Sequence, residues 1–110
     1  MNQVKQGDRR PAATATLSRG TALVDLQTAI GVTFKARERS SNTMAIEGAA
    51  TLVDAENGDI EYRYAAGDTD VPGTYYCEWE VTWGDGTTET FPTMGFDVLV
   101  IFGDIDGGVT

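Results

Sequence analysis

Glu78 and Glu80 stand two residues apart in the alternating run Tyr75–Trp83. On a strand that spacing puts both carboxylates on one face, where a carboxylate pair can do general acid–base work on a sugar. Nothing around them in sequence sets one acid apart from the other, so they read more simply as the hydrophilic face of a hairpin opposite Thr88 and Thr90. Asp68-Thr69-Asp70 and Asp104-Ile105-Asp106-Gly107 resemble fragments of a calcium loop, which needs oxygen ligands at alternate positions and a later bidentate acid. Neither has the remainder, and both read as solvated turn acids. The chain has no histidine and one cysteine, Cys77, which removes His-based triads, His metal sites, Cys–His dyads and zinc knuckles. Without a base to activate it, Cys77 reads as a small buried apolar residue. No catalytic residue, metal ligand or cofactor is assigned, and the chain is expected not to be an enzyme.

The elements that position these residues come from a chain of 110 residues, the size of one domain. Apolar residues make up 41 %, enough for a core, and 13 Gly against 3 Pro implies many turns. The formal charge of −9 disfavours nucleic acid and anionic membrane as partners. Residues 1–39 hold seven basic side chains against three acidic ones, and residues 40–110 hold one against 14, so the two parts carry +4 and −13. Basic and acidic strands lying side by side would produce this pattern. So would a basic end and an acidic face suited to head-to-tail packing of copies into a ring. The lone cysteine and the polar start MNQVKQGDRR lead to the expectation of a protein made in a reducing cytoplasm.

Period-two alternation predicts strands almost throughout. In Ala29–Glu38, Ile30, Val32, Phe34 and Ala36 share one face and Thr33, Lys35 and Arg37 the other. Ile60, Tyr62 and Tyr64 oppose Glu61 and Arg63. Tyr75–Trp83 is the strongest run, with Tyr75, Cys77, Trp79, Val81 and Trp83 facing the core and Tyr76, Glu78, Glu80 and Thr82 facing out. Asp85-Gly86 predicts a hairpin that returns Thr87–Phe91 onto the Trp79 strand. A last strand places Phe96, Val98, Val100 and Phe102 on one face and Asp97, Leu99 and Ile101 on the other, a pattern that suits a strand covered on both sides. Phe34, Tyr62, Tyr75, Cys77, Trp79, Val81 and Phe91 are the expected structural core. The whole reads as an all-β, immunoglobulin-like antiparallel β-sandwich of about seven to nine short strands over residues 11–103. Residues 1–10 form an N-terminal arm, read either as a frayed end or as a strand added to a neighbour's sheet edge. Residues 104–110 form a flexible acidic tail.

Tyr75-Tyr76-Cys77 follows an acidic turn and is similar to the Tyr-x-Cys of immunoglobulin folds, whose corner tyrosine bonds back to upstream backbone. The partner cysteine is missing. In order along the chain come Val4-Lys5-Gln6-Gly7-Asp8, Val24-Asp25-Leu26, Val32-Thr33-Phe34-Lys35, Val53-Asp54-Ala55-Glu56-Asn57-Gly58, Tyr62-Arg63-Tyr64, the run from Gly67 to Tyr75, Glu78-Trp79-Glu80 and Phe91-Pro92. Over roughly residues 3–100 this resembles the N-terminal domain of phage baseplate upper proteins. The resemblance implies an immunoglobulin-like sandwich in a tailed-phage virion, made in the host bacterial cytoplasm and docked to other virion proteins as a baseplate, tail-tip or neck adaptor, or as a ring of identical copies. Head decoration and binding to carbohydrate or a host surface through Tyr76 are the alternatives. The interface is expected at Lys5, Arg9, Arg10, Tyr76, Glu78 and Glu80.

Overall fold

Alternation becomes eleven strands in the computed structural model, which describes residues 1–105. They are β1 (Asn2–Lys5), β2 (Ala13–Thr16), β3 (Ser18–Arg19), β4 (Ala22–Leu23), β5 (Ala29–Glu38), β6 (Met44–Ala49), β7 (Thr51–Asp54), β8 (Asp59–Tyr62), β9 (Gly73–Trp83), β10 (Thr88–Phe91) and β11 (Asp97–Phe102), with a 3-10 turn at Ala55–Asn57. Two strands of two residues each, β3 and β4, raise the count above the expected seven to nine. Most of the expected acidic tail, from residue 106 on, lies outside the described residues, and with it part of the second candidate calcium loop.

The larger sheet runs β1-β11-β9-β5-β6, with β10 also on β9, and the smaller runs β2-β8-β7. The fold is an all-β sandwich. Phe34 of β5 stacks on Tyr62 of β8, centroids 4.9 Å apart, and joins the two sheets. Strand β9 is the axis of the larger sheet. β5 pairs along its length, while its other side is shared: β11 pairs with Gly73–Cys77 and β10 with Trp79–Thr82. The Asp85-Gly86 hairpin sets Phe91 opposite Trp79. Tyr75 Oη donates to the Val71 carbonyl at 2.6 Å, which closes the corner at the start of β9. Phe34, Tyr62, Tyr75, Cys77, Trp79, Val81 and Phe91 are all buried.

Four expectations change. The larger sheet is mixed rather than antiparallel, because β1 runs parallel to β11. Residues 1–10 are no arm: β1 belongs to the chain's own sheet and buries Val4. Behind it Gln6 Nε2 donates to Asp70 O at 2.8 Å, Gly7 N–H to Thr69 O at 3.1 Å, and Thr69 Oγ1 to Asp8 O at 2.7 Å. Ile30 is exposed, since the β5–β9 register slips between Ala29 and Gly31 and turns it off the core face. The last strand, expected to be covered on both sides, fully buries one face alone: Leu99 opposite Tyr75 and Ile101 opposite Gly73 are buried, Val98 and Val100 are half-buried, and Phe96 and Phe102 are exposed.

The corner hydrogen bond predicts that Tyr75→Phe, which keeps the ring and orphans the Val71 carbonyl, lowers stability by about 1–2 kcal/mol in urea titration. An unchanged midpoint would show that the corner is not stabilised by this bond.

Burial pushes the Cys77 thiol from its ordinary value near 9 up to about 12, with the Asp97 carboxylate adding to the shift. The Tyr62 hydroxyl rises to about 12, by burial and by donating to Asp68 Oδ2 at 2.6 Å. Both ionise more readily in the unfolded chain, so the stability they contribute is whole below pH about 9 and is lost as pH rises from there towards 12. Native protein is therefore expected to resist iodoacetamide at pH 8 and to take one label in guanidinium, read by mass spectrometry. Rapid labelling of the folded chain would place Cys77 at the surface.

Candidate functional site

The outward residues of β5 and β9 meet across the middle of the larger sheet. Register sets Arg37 opposite Tyr76, Lys35 opposite Glu78 and Thr33 opposite Glu80. The basic strand thus lies beside the acidic one, and Lys35 Nζ sits 3.3 Å from Glu80 Oε2. Of the two arrangements the charge asymmetry allows, cross-strand neutralisation is present within the chain. Elsewhere Arg19 grips Glu89 with two bonds, at 2.8 and 2.6 Å, and ties β3 to β10.

At one end of this face the charges give way to aromatic rings. Tyr76 stacks on Phe96 with centroids 5.0 Å apart and planes inclined by 12°. The Arg37 guanidinium lies 4.8 Å from the Phe96 centroid and 6.0 Å from that of Tyr76, within range of the quadrupole attraction of both rings. Met44 enters because β6 pairs Met44 with Arg37 at a register shift after Ala36. Together with Lys35 and Glu78 these four line a hollow of about 80 Å³. Among the described residues Arg37 forms no ion pair. Phe96 and Met44 are 45 % and 52 % exposed, so the cluster opens to solvent.

Of the six expected interface residues, Tyr76, Glu78 and Glu80 share this face. Lys5, at the end of β1, and Arg9 and Arg10 do not line the hollow. Arg9 Nε donates to Tyr64 O at 2.8 Å, and Arg9 and Arg10 flank a separate groove with Arg63. Arg37, Met44 and Phe96 were not among the expected interface residues. Arg37 carried a signal, as an outward cation on an alternating strand, but its partner ring is visible only once β5 is registered on β9. Phe96 is missed because the last strand is apolar on both faces.

Two of the carboxylates singled out for chemistry, Glu80 and Asp68, have structural duties. Glu80 is paired with Lys35, and Asp68 Oδ2 accepts from Tyr62 Oη and from Ala65 N–H at 2.8 Å, which closes its turn. Among the described residues no group of three or more His, Cys, Asp or Glu side chains is placed to hold a metal ion.

No family model matches the chain, and no curated protein matches it. Among solved structures the fold is similar to the crystal structure of CopC from Methylosinus trichosporium OB3b, with a TM-score of 0.55, 11 % identity, and coverage of 92 % of this chain and 82 % of that one. At this identity the likeness shows the fold alone. It corrects the expected role: the matching fold is that of CopC, which lends no support to a tailed-phage docking subunit or its decoration and host-surface alternatives, and that reading is withdrawn.

Proposed function

We propose that the chain is a non-catalytic β-sandwich binding module that docks a partner protein on the outer face of its larger sheet, through Arg37, Met44, Tyr76 and Phe96. The observation that carries this reading is the Tyr76–Phe96 stack with the Arg37 guanidinium laid over it, among the described residues without an ion pair. Tyr, Phe, Met and Arg are the residues enriched in protein interfaces, and rigid stacking lowers the ordering cost of binding. The partner that fits offers a carboxylate to Arg37 and an apolar side chain to the hollow beside Phe96. Net charge of −9 turns the same module away from nucleic acid.

A photo-crosslinking amino acid at Met44, introduced in cells that make the protein, is expected to give one defined protein adduct that disappears in the Arg37→Ala background. The same label at exposed Gln27 serves as the control. Equal adducts from both positions, or none from Met44, would remove this face as the docking surface.

A further inference from the structure

A second opening lies on the other side of Phe96. Where β9 exchanges β10 for β11, residues 92–96 leave a cleft of about 310 Å³, walled by Thr16 and Ser18 on one side and by Trp79, Phe91, Phe96 and Asp97 on the other. Trp79 is 1 % exposed, and its indole Nε1–H has no acceptor among the described residues. A buried donor without a partner is under pressure to find an oxygen.

The cleft runs along the outer edge of β2, the terminal strand of the smaller sheet. That edge already accepts one strand-like neighbour. The Asn2 carboxamide accepts from Thr14 N–H at 3.0 Å and donates to Thr14 O at 3.1 Å, as the peptide group of an adjoining strand would. In an antiparallel ladder every second residue turns its backbone groups away from its partner. Thr14 therefore points outwards from β8, and Thr16, two residues on, turns its N–H and C=O to the same side, beside the cleft.

We infer that this cleft is a docking site for an extended segment of a partner protein, added as a strand on the outer edge of β2, with one side chain entering the cleft to set an acceptor oxygen against Trp79 Nε1. Main-chain bonds to Thr16 supply the affinity, and the cleft selects the inward side chain. The segment that fits is neutral or basic: the chain carries −9, and a second copy carries the same charge and is repelled. The site shares Phe96 with the Arg37 face, but Thr16, Ser18 and Trp79, on which the docking rests, do not line that face.

The test is amide NMR of the intact ¹⁵N-labelled chain with the capped peptide Lys-Thr-Val-Thr-Gln-Thr-Val-Thr-Lys, whose alternation offers Val and Gln to one side. The Trp79 indole signal and the Thr16 and Ser18 amides are expected to shift in a saturable way at up to about 1 mM peptide. Hydrogen exchange at Thr16 should slow roughly tenfold at saturation. Thr16→Pro removes the outward N–H while sparing the ladder to β8, at the cost of the Thr16–Asp59 hydrogen bond, and should abolish binding. Trp79→Phe, a milder change to the core, should weaken it, and Arg37→Ala should leave it unchanged. Absence of shifts at these signals, equal binding of the peptide N-methylated at alternate amides, or shifts centred on Tyr76 would overturn the inference. So would self-association that occupies the edge, seen by sedimentation without peptide.

Discussion

Trp79→Ala is expected to lower stability by about 3–5 kcal/mol, and Tyr76→Ala, three residues earlier on β9, by much less. Trp79 is 1 % exposed and lies 4.6 Å, centroid to centroid, from Phe34, which itself stacks on Tyr62 across the two sheets. Truncation therefore strips a support from the aromatic stack that joins the layers. The indole makes no hydrogen bond among the described residues, so the loss is of apolar contact and volume. For a domain of about this size each kcal/mol lowers Tm by roughly 4–8 °C, which makes the effect plain in a thermal melt. Tyr76 points outwards, and its removal frees one side of Phe96 without opening the core. A melt in which Tyr76→Ala is the more damaging change would mean that β9 faces the other way, since a slip of one residue exchanges the two sets.

Gly58→Ala is expected to cost about 2–5 kcal/mol from a single methyl group. Gly58 has φ of 77°, in the left-handed region, where a Cβ alone is unfavourable by about 1–2 kcal/mol. The methyl would also stand 2.8 Å from the carbonyl oxygens of both Leu17 and Val24. These are backbone atoms tied to the same junction, because Leu17 N–H donates to Gly58 O at 2.9 Å and Val24 N–H to Leu17 O at 3.0 Å. Relief requires moving a whole segment, at an overpacking cost of about 1–3 kcal/mol. Gly86 is the internal control. Its φ of 88° is similar, but a Cβ there meets nothing within 4 Å, so Gly86→Ala should show the conformational part alone. Equal losses at the two positions in urea titration would show that the close approach at Gly58 contributes nothing.

Much of the fold is legible in the chain because it is locally encoded. In Tyr75–Trp83 apolar and polar residues alternate without a break, so its inward face follows from the pattern alone, and Tyr75, Cys77, Trp79 and Val81 are buried. Asp85-Gly86 can return the chain in only one way, and Thr88–Phe91 pairs back on β9. The likeness of Tyr75-Tyr76-Cys77 to a corner tyrosine, with turn residues before it, leads to the expectation of a bond back to upstream backbone, and the Val71 carbonyl accepts it. In each case the signal is local: an unbroken alternation, a two-residue turn, or a bond spanning four residues.

Tertiary structure decided what depends on distant partners or on a choice between equivalent faces. Asp97–Phe102 is apolar on both sides, so alternation cannot tell which side is inward; pairing with β9 made it Leu99 and Ile101 and released Phe96 to stack on Tyr76. Residues 2–5 hold one strongly apolar side chain, Val4, too few for a pattern, and became a strand because β11 offered an open edge. The Arg37 cluster needs β5, β6, β9 and residue 96 together. Composition and period determine which residues can be strands and where they turn. Register and strand order rest on contacts between residues far apart in the chain, and those alone brought a cation, two rings and a thioether to one face.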